Sequence, residues 1–176
     1  MAQNQAVTII TFPGVIVHEM AHMLACFLTR TRVLRVRLFR LGNPAGYVMH
    51  EKPHGAWKTI LIGTGPFLVN TAAGFLIALS ATLLRDGTTT RAVAGQVVLM
   101  WLAVSVAMHS FPSTGDAGSI WGTVRDRSCP IPVKIVAVPV AGFIYLGALG
   151  SVFWLDLVYA LAVTIVLPLA TGATFW

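Results

Sequence analysis

Two histidines and a glutamate form the pattern His-Glu-x-x-His at residues 18–22, within the first long apolar stretch of the sequence. On an α-helix His18 and His22 are one turn apart on the same face, so both imidazoles could bind one Zn²⁺ ion. Glu19 lies next to them and could take a proton from a water molecule as a general base. This spacing therefore indicates metal-assisted hydrolysis.

The same three side chains could instead form hydrogen bonds between helices without holding a metal. Their surroundings in the sequence weigh against that alternative, because an unpaired polar group at membrane depth costs several kcal/mol. Ionisable residues inside apolar spans are therefore usually functional. We expect His18, Glu19 and His22 to form a site and not merely a packing contact.

A catalytic zinc site needs a third protein ligand and one open position. The other residues with suitable side chains are His50, Glu51, His54, Asp86, His109, Asp116, Asp126 and Asp156. Asp116 follows Pro112 and Gly115, which should break the preceding helix and let the chain fold back toward the metal. His109 lies about two turns earlier and could also reach it. The residues alone leave both Asp116 and His109 as candidates.

The composition predicts the elements that position these residues. Hydrophobic residues make up 56% of the 176 residues and charged residues only 10%, which excludes a disordered chain and argues against a soluble domain. A bilayer-crossing helix needs roughly 20 mostly apolar residues. Candidate spans are 6–29, 59–84, 92–111 and two helices within 131–176 that break near Gly150. We expect an all-α polytopic membrane protein with about five transmembrane helices in a single domain.

The segment after the first span has a different pattern. Residues 33–40 partly alternate apolar and basic side chains, which is the period of a β-strand. Gly42, Asn43 and Pro44 form a turn signal, and residues 47–49 could return as a second strand. The sequence therefore predicts a small amphipathic β-hairpin at the membrane surface.

The basic residues predict the orientation. Seven Lys and Arg residues follow the first span, two follow the second and three follow the third. With five spans, the first and third connections share a side, which therefore carries ten basic residues against two. We expect an outside N-terminus and a site toward the cytoplasm. Asp86 then falls on the far side, and Asp126, between two arginines, is expected to form a solvated ion pair.

The net charge of +6 suits anionic lipid head groups better than nucleic acid, because the basic residues flank hydrophobic spans. We therefore expect the lipid bilayer as a partner and no nucleic acid.

Taken in order, three motifs resemble the site-2 protease family of intramembrane zinc metalloproteases. The first is His18–His22 in an early span. The second is Gly65-Pro66 with the nearby Asn70, which has one residue more than the usual family spacing. The third is the Asn-x-x-Pro…Asp-Gly motif, which appears here with His109 in the place of Asn, then Pro112, then Asp116 followed by Ala117.

The resemblance covers about residues 6–118 and implies a three-helix catalytic core, with further helices in 131–176. It implies Asp116 as the third zinc ligand. It implies that His109 contacts the substrate carbonyl or its oxyanion. Asn70 is either a packing contact or a donor to the substrate strand, and the hairpin would help to present the substrate in an extended form.

The function expected from these residues and this resemblance is a zinc-dependent intramembrane endopeptidase. Its substrate would be a membrane-embedded or membrane-proximal protein in a prokaryotic cell membrane. The alternative is a non-catalytic zinc-binding membrane protein, either a metal carrier or an inactive regulatory relative. A carrier would spread its ligands across the membrane depth, whereas the candidates here cluster toward one side.

Overall fold

The computed structural model describes residues 5–84, 89–127 and 129–173, and these are mainly helical. The helices are α1 (Gln5–Ile10), α2 (Phe12–Leu28), α3 (Ala56–Thr82), α4 (Thr90–Met108), α5 (Thr114–Arg125), α6 (Ile131–Gly150), α7 (Leu155–Leu161) and α8 (Leu167–Ala170), and the strands are β1 (Val33–Arg37) and β2 (Tyr47–His50). A 3₁₀ turn at Ser151–Phe153 follows α6, and a π-helical turn at Ala162–Val166 joins α7 to α8.

The first apolar stretch forms two helices that meet at Thr11. Pro13 lies in the first turn of α2, where its missing N–H is tolerated. The Thr11 hydroxyl donates to the Val7 carbonyl over 2.8 Å and closes the end of α1. At 1.5 Å per residue, the 17 residues of α2 extend over about 26 Å. This is slightly less than the roughly 30 Å of a bilayer core.

Within the described residues, three helices are long and apolar enough to cross a membrane, namely Ala56–Thr82, Thr90–Met108 and Ile131–Phe153. The helices Phe12–Leu28 and Leu155–Ala170 are apolar but shorter. The predicted helical, membrane-type architecture is thus confirmed, while the count of five spans stays a prediction. The helix break expected near Gly150 is present, and Trp154 there has a left-handed φ of 61°. Residues 174–176 of the last predicted span lie outside the described residues.

Helix α3 packs along both α2 and α4. At Gly65 the contact with α2 leaves little space, since a methyl group there would lie 3.1 Å from Ala25 Cβ and 3.3 Å from the Ala21 carbonyl oxygen. Small residues permit this close approach of helix backbones, which is typical of membrane helices. Helix α5 is held against α6 by a buried cluster that includes Ile120 and Ile144. The three long central elements α2, α3 and α4 therefore form one unit, to which α5 and α6 attach.

The predicted hairpin is confirmed as a two-stranded antiparallel sheet in which Val36 pairs with Val48 and Arg37 with Tyr47. The direction of the hairpin relative to α2 follows from two contacts. Val33, at its start, packs near Cys26 at the end of α2, whereas the ring of Phe39 lies 5.8 Å from the ring of Phe12 at the beginning of α2. The hairpin therefore runs back along α2 and does not extend away from its end.

Candidate metal centre

The two motif histidines are buried on one face of α2, with ring centroids 5.0 Å apart. His18 Nδ1 donates to the backbone carbonyl of His109 over 2.7 Å, and His22 Nδ1 donates to that of Ile62 over 3.0 Å. Because a carbonyl oxygen can only accept, Nδ1 carries the proton in each ring. In the neutral form of each ring, Nε2 then has a lone pair for a metal, in the arrangement by which proteins orient histidine ligands.

Asp116 reaches the two histidines because α5 begins close to α2. Ser113 is the N-cap of α5, and Asp116 completes a capping box with it. Asp116 Oδ2 accepts hydrogen bonds from the Ser113 amide over 2.8 Å and from the Ser113 hydroxyl over 2.6 Å. The other carboxylate oxygen, Oδ1, lies 3.6 Å from His22 Nε2. The capping box thus fixes one oxygen and directs the second toward the histidine pair.

The charge state of Asp116 also suits a ligand. Burial on its own would raise the pKa of this carboxyl group, but a protonated His22 beside it and the hydrogen bond from Ser113 outweigh burial and lower the pKa to about 2. A carboxyl group must be deprotonated to bind a metal ion. Asp116 is therefore ionised at neutral pH without any rearrangement of its surroundings.

One ligand atom from each of His18, His22 and Asp116 lies within 4.8 Å of the other two, so this group could hold a metal ion. Two ligand atoms about 2.1 Å from zinc at the tetrahedral angle are roughly 3.4 Å apart. The 3.6 Å between His22 Nε2 and Asp116 Oδ1 is close to that value. Three protein ligands would leave a fourth tetrahedral position open, as in catalytic zinc sites.

Glu19 lies next to this group, at a cavity of about 510 Å³ enclosed by α1, α2 and the hairpin loop. His18, Glu19 and His109 all line this cavity. Gly46 of the hairpin loop lies against Glu19, because a methyl group on Gly46 would be 2.8 Å from Glu19 Oε1. The hairpin therefore forms one wall of the cavity that Glu19 lines.

His109 caps the end of α4, outside the group of three ligands. Its Nδ1 donates to the Ser105 carbonyl over 3.0 Å, and its buried Nε2 has no hydrogen-bond partner among the described residues. With the proton on Nδ1, Nε2 of the neutral ring can accept a hydrogen bond but cannot donate one. A hydrogen bond from His109 to an oxyanion would thus require the protonated ring. The backbone of His109 has a separate role, since its carbonyl orients His18.

Asn70 is fully buried where α2, α3 and α4 meet. Its amide nitrogen lies 3.3 Å from the carbonyl oxygen of Gly14 and 3.2 Å from those of Val106 and His109. These contacts fit the alternative in which Asn70 serves the packing of helices and does not donate to a substrate strand. They also support the site, because the His109 carbonyl that Asn70 holds is the one that orients His18.

The remaining candidates lie outside the group of three ligands. Glu51 lies 3.6 Å from Arg32 in an ion pair, and Asp156 is buried at the start of α7, where it accepts a hydrogen bond from the Leu157 amide. A second cavity is lined by several residues including His50, His54 and Asp126. Asp86 lies outside the described residues.

The groups that orient the three candidate ligands and Glu19 were not predicted from the sequence. Ser113 had a detectable signal, because a serine three residues before an aspartate at a helix start is the pattern of a capping box. The Ile62 and His109 carbonyls and Gly46 had none, since backbone groups and close contacts have no sequence signature.

No family model, no curated protein and no solved structure matches the chain. The family resemblance of the three motifs therefore stays a prediction.

Proposed function

We propose that this chain is an integral membrane zinc endopeptidase of the site-2 protease type, which hydrolyses peptide bonds of membrane-embedded or membrane-proximal proteins. The observation that carries the proposal is the convergence of His18, His22 and Asp116, each with its second polar atom already held by a hydrogen bond. Such supporting hydrogen bonds are typical of metal ligands and are not needed by an ordinary ion pair.

In this proposal His18, His22 and Asp116 hold the ion, which supplies Lewis-acid polarisation of the substrate carbonyl and activation of water. Glu19 takes a proton from the attacking water and passes it to the leaving amine. The substrate enters the cavity beside Glu19 as an extended chain, because an intact helix keeps its carbonyl groups in its own hydrogen bonds.

The long helices support the membrane location. They expose many large apolar side chains, among them Leu61, Leu68 and Leu76 on α3, Val97 on α4, and Leu146 and Leu149 on α6. So much exposed apolar surface is unusual for a soluble monomer and suits contact with lipid. The basic connections favour a site on the cytoplasmic side of the membrane, and the membrane that we propose is a prokaryotic cell membrane.

The hairpin supports access of water to this site. Arg35, Arg37 and Arg40 are exposed on it, and the guanidinium groups of Arg35 and Arg40 lie 6.0 and 5.6 Å from the centre of the Tyr47 ring. Arginines at the bilayer centre are costly, so this side of α2 should face water or head groups and not hydrocarbon. A hydrolytic centre on α2 needs water from such a side.

Removal of the metal tests the proposal directly. The purified protein should contain about one zinc per chain and hydrolyse fluorescein-labelled casein, an unfolded substrate. We expect 1,10-phenanthroline followed by dialysis to abolish hydrolysis, and one equivalent of zinc to restore it, because the three ligands alone do not polarise the carbonyl. Stoichiometric zinc without hydrolysis of casein or a co-expressed membrane protein would favour the non-catalytic alternative. Hydrolysis that survives complete metal removal would contradict the proposed mechanism.

Gly46→Ala tests whether the hairpin positions Glu19. The added methyl group would lie 2.7 Å from Glu19 Cγ, so the flexible glutamate side chain must move while the backbone can stay in place. We expect kcat to fall by about 10-fold to 100-fold, since misplacing a catalytic group by about 1 Å has effects of this size. Zinc content should not change. Gly142→Ala is the matched control, because a methyl group there meets nothing within 4 Å. Equal kcat for Gly46→Ala and wild type would show that the hairpin does not position Glu19.

A further inference from the structure

A second cavity, of about 1140 Å³, also borders the ligand group, and Glu19 does not line it. Asp116, Ile62 and Gly63 line it, and the Ile62 carbonyl is the group that orients His22. Two parts of the chain line it, namely the connection from β2 to α3 with the start of α3, and α5 with the connection from α5 to α6. The ligand group therefore borders two cavities, because His18 lines the one beside Glu19 and Asp116 lines the second.

The two cavities differ in chemistry. The cavity beside Glu19 is lined by large apolar side chains, including Ile9, Phe39 and Leu41, and by one Lys or Arg side chain, Arg40. The Arg40 guanidinium already donates hydrogen bonds to the carbonyls of Asn43 and Pro44. The rim of the second cavity carries Lys52 and Lys58, together with His50 and His54. A peptide that occupies both cavities would thus meet large apolar side chains in the first and two lysines in the second.

Two carboxylates also line the second cavity, and their positions limit where an anion could bind. Asp116 is at the ligand group, where a bound cation would neutralise it, and Asp126 is at the end of α5 and already has an interaction of its own. The two lysines belong to the other part of the lining, the connection from β2 to α3 and the first turn of α3, at an exposed and a half-buried position. An anionic side chain in this cavity could therefore pair with Lys52 and Lys58.

We propose that the second cavity binds an acidic segment of the peptide substrate through Lys52 and Lys58, while the apolar segment of the same substrate occupies the cavity beside Glu19. This inference rests on the proposed function, because it assigns the substrate class of that same centre. An acidic peptide is favoured over a lipid head group because the same cavity is lined by the two lysines and by Asp116 of the ligand group. A peptide chain that pairs with the lysines could therefore continue to the ligands.

Binding measurements test this inference without hydrolysis. The probes are two fluorescein-labelled peptides, (Glu-Gly)₅ and (Lys-Gly)₅, and fluorescence anisotropy is measured with the full-length protein in zwitterionic nanodiscs. We expect the acidic peptide to bind and the basic peptide not to bind. The double variant Lys52→Glu, Lys58→Glu should weaken binding of the acidic peptide by at least about tenfold, because two attractive charges become repulsive. Arg91→Glu, an exposed change at the start of α4, is the matched control and should leave binding unchanged.

Equal binding of the two peptides, or equal affinity of the double variant and wild type for the acidic peptide, would overturn the proposal. The proposal would also be overturned if the double variant still bound the acidic peptide but no longer bound short-chain phosphatidylglycerol. The two lysines would then bind lipid head groups and not the peptide. Failure of the proposed function has a different signature: the acidic peptide would bind through the two lysines, but no zinc-dependent hydrolysis of casein or of a co-expressed membrane protein would be found.

Discussion

Replacing Asp116 with alanine is expected to reduce zinc from about one per chain to a small fraction, and to abolish hydrolysis with it. Loss of a residue that only supports a ligand lowers metal affinity by roughly 10-fold to 100-fold. Loss of a ligand itself should exceed that, because two histidines remain where three protein ligands are needed. Zinc content of the purified variant, measured by atomic emission after dialysis against a weak chelator, checks this result.

The alanine change also removes a helix cap, because Asp116 Oδ2 accepts hydrogen bonds from Ser113. Asp116→Asn separates the two effects. The asparagine oxygen can still accept from Ser113 and preserve the start of α5, whereas a neutral amide is a poor zinc ligand. We therefore expect Asp116→Asn to keep the thermal stability of the wild type better than Asp116→Ala and to lose zinc nearly as completely. Asp126→Ala, at the other end of α5, is the control for removal of an aspartate and should keep its zinc.

His109→Ala decides between the two candidates for the third ligand. The variant loses the imidazole but keeps the backbone carbonyl that orients His18. Because the imidazole lies outside the converging group, we expect zinc to be retained. If His109→Ala loses zinc and Asp116→Ala keeps it, the assignment of Asp116 is wrong.

The residues that could hold a metal ion were predictable because each has a local signal. The spacing of His18 and His22 fits one helix face in any surroundings, since the α-helical period fixes it. Asp116 follows a stretch that Pro112 must interrupt, and the structure indeed ends α4 at Met108 and starts a new helix at Thr114. The helical period and the position of a proline were therefore sufficient to identify the candidate metal ligands.

The position of the hairpin could not be predicted in the same way. Alternation of apolar and basic residues in 33–40 determines which face of a strand is apolar, but it does not determine where the strand lies relative to α2. The ring contact between Phe39 and Phe12 and the contact of Gly46 with Glu19 join residues 27 positions apart. Such contacts depend on tertiary packing, which neither composition nor period encodes. The role of Asn70 was left undecided for the same reason.

Changing Glu19 to glutamine is expected to reduce hydrolysis by about 10²-fold to 10⁴-fold, the usual contribution of a general base. Glutamine has the shape of glutamate and fits beside Gly46, but its amide cannot take a proton from water. Glu19 is not among the three converging ligands, so zinc content should stay at about one per chain. Glu51→Gln is the matched control, because Glu51 is exposed and pairs with Arg32 outside the centre.

The combination of retained zinc and lost hydrolysis is what distinguishes a general base from a ligand. If Glu19→Gln lost its zinc, Glu19 would be part of the metal site and the proton transfer would need another residue. If Glu19→Gln hydrolysed casein at the wild-type rate, the proposed mechanism would be wrong. The comparison with Gly46→Ala adds a graded measurement. A displaced carboxylate should still take the proton at a reduced rate, whereas an amide should not, so kcat should decrease in the order wild type, Gly46→Ala, Glu19→Gln.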